Sequence, residues 1–344
     1  MSGAEADRAA FHEFVAKHHR FLLTTHINPD GDGLGSEVAL AHWLLARGKS
    51  ARILNDSVLP AQFAFMAGDL AIESWQSEMA EQRFGEADAL IVLDTSNKQR
   101  IGRVAQTIEH HIIPVMVVDH HATHTRGFGR VNVIEPGAAA TGEILFELFH
   151  EAGHPITPAI AEALYIAVMT DTGSFRYSNT DPHVHRMAAE MLGFGLDPQR
   201  LHALVHAHAS AGRMRFFGSA LAALEMHADG RLVVLTARPE DFQRHGVVGA
   251  DTDGLVDMPR TIAGVEAVAL FSEAETGKTK VSLRSTGRVK VDELASRHGG
   301  GGHIHAAGIL LRCTTDEARA RILPELVRIV EGVAPGESAG AARK

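Results

Sequence analysis

Cysteine is nearly missing: Cys313 is the single example in a chain of 344 residues. One thiol can form neither an intramolecular disulfide nor a cysteine-based zinc cluster, so the sequence carries no sign of an oxidising compartment. Long apolar runs are missing too. The longest, such as IIPVMVV (112–118), are far too short to cross a bilayer, and MSGAEADRAAFHEF has no apolar core of the kind a signal peptide needs. Cytoplasm is therefore the expected location, with no membrane partner. Positive charge is in deficit, 33 Lys and Arg against 42 Asp and Glu, a net charge of −9. Affinity for long duplex nucleic acid comes largely from Lys and Arg on phosphates, which makes that class of partner a poor fit. A short anionic ligand remains compatible if the site supplies its own positive charge, and a metal ion can be the largest such charge. Gly (33) and Pro (12) are too ordinary for a low-complexity chain.

What is present in excess is histidine, 22 residues. The count decides nothing alone, because runs such as His202, His206 and His208 suit an ordinary helix surface; placement has to decide. The first half of the chain alternates short apolar runs with helical patterns. FLLTTH (21–26), ARILN (51–55), ALIVLD (89–94) and PVMVVDHH (114–121) are expected strands. LGSEVALAHWLLARG (34–48), GEILFELFHEAG and PAIAEALYIAVMTDTG are expected helices. Continuous Val, Ile and Leu runs separated by helices favour a mainly parallel sheet covered by helices. Residues 195–215 are helical and polar and suit a connector. Beyond it, 231–237, 265–274 and 280–286 are expected strands, the last two joined by a Thr-Gly turn. A short helix (VDELASRHG), a strand (AAGILLRC) and a closing helix opened by a Thr/Asp cap complete the second α/β unit. The expected division is 1–194, a connector at 195–215, a smaller domain at 216–335 and a frayed tail at 336–344.

In open α/β sheets ligands gather beyond the C-terminal ends of the strands. Three expected strands end in potential metal ligands. The first ends at His26 and runs into NPDGDG, with Asp30 and Asp32. The second ends at Asp94, and the third at Asp119, His120 and His121. A fourth acid, Asp171, follows a helix and precedes Gly173. Taken singly, Asp30 and Asp32 suit a turn, His26 suits a packed core histidine, and Asp171-Thr172-Gly173 suits a helix stop. Taken together, several acids at one sheet edge would repel one another, and a pair of divalent cations resolves that repulsion. Oxygen and imidazole donors without thiolate favour manganese or a similar ion over structural zinc.

HINPDGD (26–32), Asp94 in VLDTS, Asp119-His120-His121 and Asp171 in TDTG resemble the four signature motifs of the DHH phosphoesterase family. GGGGHIHAAG (299–308) resembles the glycine-rich motif of that family's usual C-terminal partner domain. The resemblance implies a two-metal site, usually manganese. His26, Asp30 and Asp94 would hold one ion, and Asp32, Asp94, His120 and Asp171 the other, with Asp94 bridging. Asp119 would orient a neighbouring imidazole, and His121 would contact the phosphate or protonate the leaving oxygen. A water between the two metals would be the nucleophile. The second domain would face this site across a cleft and hold the far end of a nucleotide.

Gly300, Gly301, Gly302 and His303, with Arg284 in VSLRS, are the candidate substrate contacts there, and Arg100 after Asp94 is a further phosphate candidate. Lys278 to His298 holds six basic residues against two acids, which beside a glycine nest suits phosphate or carboxylate. Within the family, the length and the lack of sensor or membrane segments match the compact nanoRNase group. That group implies hydrolysis of short single-stranded RNA or dinucleotides to mononucleotides and conversion of 3′-phosphoadenosine 5′-phosphate (pAp) to AMP. The alternative is a soluble phosphodiesterase for cyclic di-AMP or pApA. A homodimer is also within what the resemblance implies.

Overall fold

The computed structural model describes residues 3–121 and 127–334, and the chain separates into two compact units between His208 and Ala209. The first unit opens with helix α1 (Gly3–Lys17), strand β1 (Arg20–Thr24), α2 (Gly31–Ala46), β2 (Ser50–Asn55), β3 (Ile72–Ser74) and α3 (Ser77–Glu86). β4 (Ala89–Leu93), α4 (Arg103–His110), β5 (Val115–Asp119) and β6 (Val131–Ile134) follow. Helices α5 (Thr141–Glu151), α6 (Pro158–Asp171), α7 (Pro182–Leu192) and α8 (Pro198–His206) complete it. The strands form one parallel sheet in the order β3-β2-β1-β4-β5-β6.

Successive side chains of a strand point to opposite faces, and here both faces are apolar. Phe21 and Leu23 of β1, Ile91 of β4, and Met116 and Val118 of β5 join the core with α1, α2, α5, α6 and α7. Leu22, Leu90, Val92, Val115 and Val117 join the opposite core, against Ala80 and Phe84 of α3 and Val104 of α4. Trp43 of α2 stacks on Phe149 of α5, centroids 4.7 Å apart. Three helices begin at a proline behind a capping oxygen: Thr157 before α6, Asp181 before α7 and Asp197 before α8. That pairing satisfies orphan N–H groups and presets the first helical φ.

The second unit contains α9 (Ala211–Ala222), β7 (Glu225–His227), β8 (Leu232–Ala237), α10 (Pro239–His245), β9 (Ala267–Glu275) and β10 (Lys278–Ser285). α11 (Asp292–Arg297), β11 (Gly301–His303), β12 (Ala306–Leu311) and α12 (Thr315–Glu331) follow. Its sheet runs β11-β12-β10-β9-β8-β7; β8 and β9 are parallel and every other pair is antiparallel. Gly277, at φ +77°, makes the expected turn between β9 and β10. Thr314 and Glu317 cap α12 reciprocally.

Several elements differ from the sequence reading. α1, α3, α4, α7, α10, β3, β6, β7 and β11 were not anticipated. α2 starts at Gly31, not at residue 34, because Asp30 is its N-cap: Oδ1 accepts from the N–H groups of Asp32 and Gly33, both at 3.1 Å. The NPDGDG segment is thus a cap and first helical turn rather than a free loop. The stretch at 195–215 holds α8 and the start of α9, which fall in different units. Residues 336–344, expected to form a frayed tail, lie outside the described residues.

Candidate metal centre

In the first sheet the chain order reverses between β1 and β4, and this is the crevice where parallel α/β sheets place ligands. The two strand ends there are stitched together. Thr25 Oγ1 donates to Leu93 O at 2.9 Å, and Ile27 N donates to Arg100 O at 2.6 Å. His26 follows β1, Asp94 follows β4, Asp119 ends β5 and is followed by His120 and His121, and Asp171 ends α6. Asp94 has a left-handed φ of 61°, an uncommon conformation for a residue with a Cβ, directly after the fully buried β4.

The ligating atoms converge in three overlapping groups: His26, Asp30 and Asp94; Asp32, His120 and Asp171; and Asp94, His120 and His121. His26 Nε2 is 3.5 Å from Asp30 Oδ2 and 3.3 Å from Asp94 Oδ2. His120 Nε2 is 3.1 Å from Asp171 Oδ2, 3.5 Å from Asp94 Oδ1 and 3.7 Å from Asp32 Oδ2. The structure therefore brings together all six residues expected to hold metal. The backbone also sets their outer ring atoms, since His26 Nδ1 lies 2.9 Å from Ile27 O and His120 Nδ1 lies 3.2 Å from Ala138 O. Asp119 Oδ1 accepts from His121 N at 3.1 Å and lies 2.8 Å from His121 Nδ1. The imidazole beside Asp119 is thus that of His121, which stays partly exposed.

Without a cation the electrostatics of this cluster are strained. Burial disfavours a charged imidazole, yet the carboxylates of Asp30 and Asp94 outweigh it and push His26 up to about 10. Burial likewise opposes a charged His120, but Asp171 and Asp94 raise it to about 9. Burial, followed by the charges of Asp94, Asp171 and Asp30, pushes Asp32 well above the ordinary carboxylate range. Asp171 is raised mainly by burial, with Asp94 adding to it. Asp119 is held low: burial would raise it, but the His121 contact prevails. His120 Nε2 is buried and finds no hydrogen-bond partner of good geometry among the described residues, although three carboxylates surround it. An orphaned buried nitrogen facing carboxylate oxygens is the donor set a divalent cation completes.

Some supporting groups escaped the sequence reading. The first turn of α5 meets the cluster: Thr141 N donates to Asp32 Oδ2 (2.7 Å), Gly142 N to Asp32 Oδ1 (2.9 Å) and Thr141 Oγ1 to Asp94 Oδ1 (3.1 Å). Behind β1, Asn55 Oδ1 accepts from Thr25 N (3.0 Å), and Asn55 Nδ2 donates to Glu37 Oε2 (2.8 Å). Glu37 is fully buried, and burial pushes its carboxyl up to about 8. The only signal for Thr141 was its place ahead of a helix after a run of small residues.

Of the substrate candidates, Arg100 is exposed in a short 3-10 turn (Lys98–Ile101), and its carbonyl holds Ile27 beside the cluster. The others lie in the second unit. Arg284 is on β10 with Nε 3.3 Å from Asp257 Oδ1. The glycine run continues into β11 and pairs with β12. Gly302 has φ +142° and Gly300 packs on backbone, where a Cβ would meet Gly308 O at 2.1 Å, so neither position accepts a side chain. Gly301 is open to its surroundings. The backbone of His303 pairs with Ala306, and its side chain lies outside the described part. The local basic excess is partly offset, since Lys278, Lys280, Arg284 and Arg297 each lie within 4.0 Å of a carboxylate. These pairs are solvent-accessible and weak.

Comparison with known proteins follows the same division. The model of the DHH family, N-terminal domain, matches residues 20–168, and that of the DHHA1 domain matches residues 229–331. A protein of Thermus thermophilus named bifunctional oligoribonuclease and PAP phosphatase NrnA is 34% identical over 309 residues, 89% of this chain and 88% of the relative. A probable enzyme of the same name from Streptococcus mutans is 25% identical, covering 87% of this chain and 93% of its own. The crystal structure of an exopolyphosphatase-related protein from Bacteroides fragilis superposes with a TM-score of 0.88 at 25% identity, covering 95% of this chain and 97% of that one.

Proposed function

Because the chain belongs to the DHH family, with a DHHA1 domain following the DHH domain, we propose that it is a metal-dependent phosphoesterase. Its reactions are release of mononucleotides from very short single-stranded RNA and removal of the 3′-phosphate of pAp to give AMP. The observation that carries this reading is the similarity to the Thermus thermophilus oligoribonuclease and PAP phosphatase over 89% of the chain. The converging cluster supports it.

Two divalent ions, manganese foremost, are the cofactors. His26, Asp30 and Asp94 would hold one, and Asp32, Asp94, His120 and Asp171 the other. When bound, such a pair lowers the pKa of water and neutralises charge on the phosphate. The chain's own residues do the rest. At the start of α5, the N–H groups of Thr141 and Gly142 hold the Asp32 carboxylate and the Thr141 hydroxyl holds Asp94. His26 and His120 give up their protons before they ligate. Asp119 fixes the ring of His121 through Nδ1, leaving the other ring nitrogen to contact phosphate or protonate the leaving oxygen. Hydrolysis forms a bond from water oxygen to phosphorus and breaks the bond from phosphorus to the leaving oxygen, which takes up a proton. Arg100, Arg284, His303 and the backbone of Gly300, Gly301 and Gly302 are the proposed substrate contacts. The catalytic unit, the connector and the substrate-binding unit keep the expected bounds of 1–194, 195–215 and 216–335 in this proposal. Cytoplasmic location belongs to it as well; among the described residues, no helix is long and apolar enough to cross a membrane.

The test is phosphate release from pAp by metal-stripped protein to which manganese, magnesium or zinc is returned singly. Release of one phosphate per AMP with manganese supports the reading. No release with any ion contradicts it.

A further inference from the structure

Trp43 and Tyr165 are buried and Trp75 is half-buried, whereas Tyr177 is 60% exposed. Tyr177 follows closely on Asp171, in a segment that is held rather than loose. Leaving α6, Gly173, Ser174 and Phe175 take left-handed φ values of 56°, 61° and 62°. For serine and phenylalanine that conformation costs free energy and persists only where the surroundings enforce it. Here Phe175 packs against Tyr165 in the core, Ser174 N donates to Met169 O (2.7 Å) and Phe175 N donates to Thr172 Oγ1 (3.0 Å). Tyr177 N donates to Thr172 O (3.0 Å), next to Asp171. Asn179 Nδ2 donates to Asp171 O (3.2 Å). The tyrosine ring is thereby laid on Gly173, so closely that a Cβ there would sit 2.3 Å from its Cζ. Beside it, exposed Arg176 donates from Nε to Gly173 O (2.7 Å).

We propose that Tyr177 is a stacking platform for a nucleobase of the substrate while the scissile phosphate lies at the metal cluster. This deepens the phosphoesterase reading and rests on it. Every base has a π face, so stacking on an aromatic ring is tolerant of sequence, which suits an enzyme that clears short RNAs of any composition. The strain at Ser174 and Phe175 then has a use, because it fixes the ring within a few residues of a metal ligand.

Tyr177→Ala and Tyr177→Phe are compared with the unmodified protein on pAp and on ribose 3,5-bisphosphate, its base-free counterpart. Tyr177→Ala is expected to raise KM for pAp by about tenfold, Tyr177→Phe to restore it, and neither to change KM for the base-free compound. Independently of turnover, the 2-aminopurine analogue of pAp should lose fluorescence on binding the unmodified protein and Tyr177→Phe, but not Tyr177→Ala. Equal losses on both substrates, or an unchanged KM for pAp with undiminished quenching in Tyr177→Ala, overturn the proposal. Quenching without hydrolysis of any substrate would instead overturn the phosphoesterase reading and leave the platform standing.

Discussion

Asp94 belongs to two of the three ligand groups, sits in a left-handed conformation and accepts from Thr141. Asp94→Asn keeps its shape and removes the charge both ions would share. Turnover should fall by about a hundredfold or more in saturating manganese, with the fold retained by circular dichroism. Near-normal turnover would remove Asp94 from the bridging role. The histidines make a separate prediction. His26 at about 10 and His120 at about 9 are both protonated at neutral pH in the metal-free protein. Ions can bind only after those protons leave, so metal affinity should rise with pH until the titration of the two rings is complete. Calorimetry in buffers of different ionisation enthalpy should report net proton release at pH 7 on filling both sites. Release near zero would mean the rings are not ligands. At this scale the sequence was legible where acids and histidines stand at the ends of apolar runs. Thr141, Asn55 and Glu37 were not, because they are ordinary residue types whose relevance comes from packing with residues distant in the chain, 109 positions away for Thr141 and Asp32.

Helix α2 shows one residue serving an element and a site at once. Asp30 caps the helix with Oδ1 while Oδ2 faces His26. Asp30→Asn keeps a capping oxygen and should preserve the stability of the metal-free protein while weakening metal binding. Asp30→Ala should lose both, costing about 1 kcal/mol of stability. Equal stability of the two variants in denaturant melts would contradict the capping role. Farther along α2, Glu37 is a buried carboxyl raised from 4.5 to about 8. Below 4.5 both folded and unfolded chains carry its proton. Between 4.5 and about 8 only the folded chain keeps it, so Glu37 reduces stability progressively as pH rises through that window. Glu37→Gln should therefore stabilise the metal-free protein more at pH 9 than at pH 5, by about 1 kcal/mol or more. An equal effect at both pH values would show that the carboxyl ionises normally. The strands that escaped detection, β3, β6, β7 and β11, have three or four residues each, too few to display a period. The strands β1, β2, β4 and β5 were legible because burial on both faces imposes continuous Val, Ile and Leu runs.

For the molecule as a whole, net charge and active chemistry point to the same substrate size. A chain at −9 is a poor general match for long nucleic acid, whose affinity comes largely from Lys and Arg on phosphates. Asp30, Asp32, Asp94 and Asp171 gather in a cluster whose negative charge two divalent ions would balance, and Lys278, Lys280, Arg284 and Arg297 of the second unit are held in weak pairs. Both features favour a short, highly charged ligand. The expectation of two parts came from the polar, helical stretch at 195–215 and from the glycine-rich motif. The positions of the helices around the 195–215 stretch were not, because polar helical sequence does not reveal which core it packs against. The central claim, a two-metal hydrolase of short RNA and pAp, is tested most directly by one product-resolved time course. Manganese-loaded protein would be given a five-nucleotide RNA, pApA, pAp, cyclic di-AMP and pyrophosphate. Rapid release of mononucleotides from the RNA and pApA, with AMP from pAp, is the predicted result. Cleavage confined to the cyclic dinucleotide, or metal-dependent binding with no product from any substrate, would contradict it.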